Sequence, residues 1–175
     1  GQRPWWHSRD HMNRPMNSPL FFDTLQLACP YKSIPGSFVA ISGNSLRILS
    51  VQPGNSTGPF YRHSLELPGP GVPRKMIHEP KTGIFAVAQM DRVCLFDPFS
   101  GSIGTAIEYH SGEVALSCCF ASFHDNPAQV FLVVSGAREF IVSPRSAAES
   151  FIDLFPIDLE NVKLGPRLHR TPIQV

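Results

Sequence analysis

The sequence predicts an all-β protein: a partial β-propeller whose WD40-like blades are antiparallel four-stranded sheets. Three observations carry this. Short apolar runs recur between turn residues; the proline and glycine that punctuate them are frequent (Pro 17, Gly 13) but evenly spread; and strand-rich units follow one another roughly 35 to 45 residues apart, the repeat expected of blades.

Composition narrows the class. Only 17% of residues are charged and 42% are hydrophobic, which suits a packed β protein and argues against disorder. A net charge of +1 gives no field that would by itself draw the chain to nucleic acid or membrane. No run is long enough to span a bilayer. The four cysteines (29, 94, 118 and 119) form neither a C-x-x-C pair nor a secreted framework, and Cys118 and Cys119 are adjacent in a strand where side chains point to opposite faces. A reducing compartment follows. The opening Arg3-Pro4-Trp5-Trp6 reads as mid-protein sequence, so the chain is expected to be a piece of something longer.

Taken in order, residues 1 to 19 show no sustained period and read as an irregular lead-in. His7 and His11 have the spacing of a helical zinc pair, but Pro4 and Pro15 crowd them and no third ligand is near, so a metal site is not predicted. Trp5 and Trp6 read as a packing anchor. Phe21 to Leu27 is a short strand. Ser37 to Ser42 and Ser45 to Val51 flank Gly43-Asn44, whose residues tolerate positive φ, and this is the strongest local hairpin signal. Tyr61 to Leu67 adds a strand.

The Pro/Gly link 68–73 then leads to a second unit. Arg74 to His78, bounded by Pro73 and Pro80, is its first strand, with Arg74 and Lys75 expected to point to opposite sides. Ile84 to Gln89 and Arg92 to Phe96 are so apolar that they read as buried on both faces. Asp97-Pro98 opens a turn in which the Asp97 side chain caps the backbone, and Thr105 to Tyr109 is the outer strand. A third unit offers Ala115 to Phe123, Val130 to Ser135, Phe151 to Pro156 and Val162 to His169. Arg145, in Ser143-Pro144-Arg145-Ser146, reads as a loop clamp or a phosphorylation context, the clamp being preferred. About three blades leave sheet faces uncovered, so completion by further chain or partner chains is expected.

Enzyme signatures are missing: no G-x-S-x-G, no phosphate loop and no complete G-x-G-x-x-G, since Gly69-Pro70-Gly71 lacks its third glycine. The chain is therefore expected not to be an enzyme.

Four ordered blocks carry a resemblance. They are Phe38 to Leu49, Pro73 to His78, Ser143 to Ala147 running into Phe151, and Leu168 to Pro172. In these the chain resembles the triple β-propeller family of splicing factor 3b subunit 3, shared with the large subunits of damage-specific DNA-binding protein and of the cleavage and polyadenylation specificity factor. The resemblance implies a fragment of a multi-propeller protein: 1–67 the lead-in and last strands of a second propeller, 68–73 the link, 74–175 the opening blades of a third. It departs from that pattern at Gln89-Met90-Asp91-Arg92, a short turn where the family carries a long charged insertion. The function implied is a non-enzymatic scaffold in the nucleus, supporting branch-site recognition in pre-mRNA splicing. Its partners would be the helical-repeat and small subunits of splicing factor 3b and the rest of its own propellers, with RNA contacted at most indirectly and no membrane. The alternative is an adaptor of a cullin-type ubiquitin ligase. No catalytic, cofactor-binding, metal-binding or partner-binding residue is carried over, and no cofactor is implied.

Overall fold

The structure is a computed structural model and describes residues 5–10, 12–19, 27–31, 37–43, 45–50 and 60–173. The chain forms two compact units, Gly1–Leu67 and Pro68–Val175. Among the described residues every regular element is a strand, so the all-β prediction holds. No closed ring of sheets is present among them, and the finer propeller assignment is not established by the strand arrangement.

In the first unit, β1 (Trp5–Arg9) and β2 (Pro15–Pro19) form an antiparallel hairpin where an irregular lead-in was expected. Its turn is built by Asp10, whose Oδ1 accepts the backbone N–H groups of Met12 and Arg14 at 2.9 Å, and by Asn13 at φ 62°. Such side-chain-to-backbone bonds let Asp and Asn direct a reversal without a Gly-Pro signal. Its Nδ1 2.6 Å from Asn17 Oδ1, His7 lies on a strand, so the helical spacing considered for a zinc pair does not exist. His11 lies outside the described residues, as does most of the predicted strand Phe21 to Leu27. A meander follows: β3 (Leu27–Tyr31), β4 (Ser37–Ser42), β5 (Ser45–Ser50) and β6 (Phe60–Glu66). β4 and β5 pair in the predicted register, Ser42 opposite Ser45, with Gly43 at φ 60°.

The second unit holds two further meanders. The first is β7 (Pro73–His78), β8 (Phe85–Gln89), β9 (Arg92–Asp97) and β10 (Ser102–Glu108). β8 is buried along its whole length, and Phe85 stacks on its register partner Phe96 at 5.0 Å. Arg74 and Lys75 are both exposed, against expectation, because a bulge between Pro73 and Lys75 interrupts the alternation. Asp97 accepts the N–H groups of Phe99 and Ser100 at 2.8 and 3.2 Å, the cap its turn predicts. The Pro/Gly link is packed onto this sheet and does not act as a tether: buried Gln89 donates to Gly71 O at 2.8 Å, and a Cβ on Gly71 would fall 1.7 Å from Asp91 Oδ1.

The last meander is β11 (Glu113–Phe123), β12 (Asn126–Arg138) and β13 (Glu149–Asp158), bordered by β14 (Lys163–Leu164) and β15 (His169–Ile173). The single fourth strand predicted from Val162 to His169 is thus two short pieces, both paired with β13 and separated by Gly165–Leu168. One face of this sheet packs on the β7–β10 sheet. Ala86, Ala88, Val93 and Leu95 meet Cys118, Leu132, Val134, Phe155 and Ile157 in one apolar core, the association by which two sheets bury their inner faces.

A glycine makes room for the fully buried Phe151 ring. Gly136 is paired with Phe151, and a Cβ there would lie 2.5 Å from the Phe151 ring. Gly136→Ala is expected to lower the unfolding free energy by about 1–3 kcal/mol through overpacking, read from the midpoint of urea unfolding; an unshifted midpoint would mean that the ring does not depend on this gap.

Candidate functional site

Strand parity places a charge where apolar residues belong. Phe151, Asp153, Phe155 and Ile157 share the inward face of β13, and all four are buried. The Asp153 side chain, fully buried, meets Arg170 of β15 in a two-pronged pair, with Nε to Oδ1 at 2.7 Å and Nη2 to Oδ2 at 2.8 Å. Arg170 also reaches buried Glu113 of β11, Nη1 to Oε1 at 2.5 Å, and lies over the Phe151 ring 3.7 Å from its centroid. Arg138 adds a second cation to Glu113 at 3.4 Å and holds Glu149 at 3.5 Å, while Arg167 approaches Asp153 at 3.6 Å.

Three carboxylates and three guanidinium groups thus neutralise one another at one end of the sheet, as burial of charge requires. Hydrogen bonds from Arg170 hold the Glu113 carboxyl below its ordinary pKa, and the carboxylates of Asp153 and Glu113 raise that of Arg170. Burial first, and the charge of Asp153 second, push the neighbouring Tyr109 phenol upward. A cleft of about 410 Å³ opens beside this network, lined in part by Tyr109, His110, Glu113 and Arg167. The sequence reading singled out none of these residues. The usable signal was Asp153, a carboxylate at a core-parity position between Phe151 and Phe155, with arginines at 167 and 170 to answer it.

The other face of the β11–β15 sheet is unlike an ordinary solvent face. A sheet packed on one side normally alternates apolar-in with polar-out. Here the outward positions include Ala121, Phe131, Val133, Leu154 and Pro156, all half-buried, with Ile152 and Ile173 exposed at 37% and 40%. Cys119 lies on this face and is exposed, whereas Cys118 and Cys94 are buried and burial pushes each thiol up to about 12.

At the end nearer the charge network, the β12–β13 loop overhangs this face and closes a groove of about 870 Å³. Its walls include Leu116, Ala137, Phe140 and Ile173, with Arg145 and Glu149 as the charged members. The Arg145 guanidinium sits 5.9 Å from the Phe140 ring of the same loop. A bridge between Ile141 and Ser146 tightens the tip and leaves Ile141 and Val142 exposed.

No protein-family profile matches the chain. Among solved structures it is similar to a protein from Bacteroides uniformis provisionally named a 6-phosphogluconolactonase, with a TM-score of 0.59 and 14% identity over 86% of this chain. The chain spans 42% of that protein's length. At this identity the likeness shows the fold alone.

Two expectations are corrected by these findings. Membership of the splicing-subunit family is not upheld, because no family profile matches and the similar fold belongs to a protein named for a different role. The physical reason lies in the blocks that suggested it: apolar strands and Gly, Asn or Pro turns are what any antiparallel meander demands. The expectation of a non-enzymatic chain is also overturned, since the similar structure is named as an enzyme and a fold of this kind therefore gives no ground for excluding catalysis.

Two outcomes are expected of the site chemistry. In a Cys29→Ser background, Cys119 reacts with a thiol reagent in the native state while Cys94 and Cys118 wait for unfolding; a native count above one reactive thiol would contradict the assigned faces. Glu113 has a lower pKa folded than unfolded, so its contribution to stability is complete above the unfolded carboxylate value of about 4.3. It is lost as pH falls through the lower folded value. Glu113→Gln should flatten the acid limb of stability against pH, and an unchanged limb would remove this pairing from the account.

Proposed function

We propose that the chain is a run of β-propeller blades acting as a protein-binding scaffold, with the outward face of the β11–β15 sheet as its docking surface. The observation that carries this reading is an apolar patch on that face, with Phe131, Val133, Leu154 and Pro156 at outward positions where a solvated sheet would place polar residues, as it does at Ser117, Ser135, Ser150 and Thr171 on the same face. The successive antiparallel sheets of four or five strands, with the four-stranded β7–β10 sheet packed on the five-stranded β11–β15 sheet in one core, support the blade arrangement. A sheet face of this kind is covered by another protein layer, because leaving it in water forfeits the transfer free energy of several half-buried aliphatic side chains.

The test is recovery of tagged chain from cell extract, wild type against the pair Val133→Lys and Leu154→Lys, with bound proteins quantified by mass spectrometry. The variant should keep its far-UV circular dichroism and lose the proteins that wild type enriches by at least about tenfold. Identical sets from folded variant and wild type would contradict the reading. The same experiment separates the partner classes: helical-repeat splicing subunits with small nuclear RNA would place the scaffold in nuclear pre-mRNA splicing, whereas a cullin would place it in a ubiquitin ligase.

A further inference from the structure

The groove under the β12–β13 loop carries an unmatched charge. Arg138 and Arg170 hold carboxylates at 3.5 Å or less, and Arg167 lies 3.6 Å from one. Among the described residues Arg145 forms no ion pair, and its guanidinium lies 5.9 Å from the Phe140 ring. Glu149, the other charged wall residue, is already engaged by Arg138. A positive group is thus left on the wall of a trough of mixed lining, in which Leu116, Ala137, Phe140 and Ile173 give apolar ground beside Ser146 and Ser150, and a ligand that matches it carries an acidic group next to an apolar one.

The shape of the trough says what kind of ligand. Its floor takes Leu116 from β11, Ala137 from β12, Ser150 from β13 and Ile173 from β15, so it crosses four adjacent strands. Three inter-strand gaps make about 14 Å, which an extended polypeptide covers in about four residues. The volume lies within the range of about 300–1,000 Å³ typical of built ligand sites. Ile141 and Val142, 54% and 67% exposed at the loop tip, continue the apolar surface beyond Phe140.

We propose that this groove receives an extended protein segment in which a carboxylate side chain neighbours an aliphatic or aromatic one. The carboxylate pairs with Arg145, and the apolar side chain rests on Leu116, Ala137 and Ile173. This rests on the outward face being a docking surface and names what one end of it recognises, in the manner of extended-peptide recognition in which pockets select side chains.

The probes are two fluorescein-labelled hexapeptides, one alternating leucine with aspartate and one alternating leucine with lysine, titrated against the whole chain by fluorescence anisotropy. The aspartate peptide should bind about threefold to fivefold more tightly, the scale of one exposed ion pair. Arg145→Glu should invert that preference and Arg145→Ala should erase it, while Ile173→Asp should weaken the aspartate peptide severely. Arg145 and its neighbours in the loop are exposed, so these variants should fold, as circular dichroism will show. Equal binding of the two peptides, no binding, or a preference that survives Arg145→Glu would overturn the assignment. Its failure is distinguishable from failure of the scaffold reading: in that case Val133→Lys with Leu154→Lys would still strip partners from the tagged chain.

Discussion

A single guanidinium set between two buried carboxylates is the constraint on which the second unit depends. Arg170 bonds Asp153 through two nitrogens and Glu113 through another, and its flat face covers Phe151. Removing two carboxylates from water is strongly unfavourable unless charge and hydrogen bonds are restored in place. Arginine does both at once because its five N–H donors lie in a rigid plane. The consequence is topological: residues on β11, β13 and β15 are fixed in one register, and the outermost strand, only five residues long, is held to the sheet by more than its ladder.

That fixation reaches the outward face. Arg138, which shares Glu113 with Arg170, also holds Glu149 across the base of the β12–β13 loop, and Ala148 donates to Arg138 O at 3.0 Å. The loop therefore leaves the sheet at a set angle and overhangs the groove. An ion-pair chain that runs from buried Glu113 through half-exposed Arg138 to Glu149 thus helps shape the recess under the loop, and the recess inherits the rigidity of the sheet. Function on such a scaffold sits where loops meet a held framework.

Much of the fold was legible because its signals are local. Gly43 and the apolar runs around it specify a hairpin, the unbroken apolar stretches at 84–89 and 92–96 specify strands with two buried faces, and Asp97 specifies its turn. What escaped depended on side chains acting at a distance or on single irregular residues. The Trp5–Pro19 hairpin was hidden because its turn is made by Asp10 and Asn13 among prolines. The bulge at Pro73–Lys75 turned Arg74 and Lys75 to the same environment, which alternation alone forbids. The fourth strand broke at Gly165–Leu168, and the residues after it, read only as part of a family motif, supply Arg170. The charge network joins positions 57 residues apart, Glu113 and Arg170, which no period reveals. The outward face was legible only in kind: too few sheets to cover one another, with no indication of which face stays open.

The most direct measurement of the central claim is the urea-unfolding free energy of Arg170→Met beside that of a triple replacement, Arg170→Met with Glu113→Leu and Asp153→Leu. Stranding two buried carboxylates should cost the single variant about 3–5 kcal/mol, and removing the charges together should restore most of that loss. A single variant within about 1 kcal/mol of wild type, or a triple variant no better than the single, would contradict the claim that this arginine holds the sheet together.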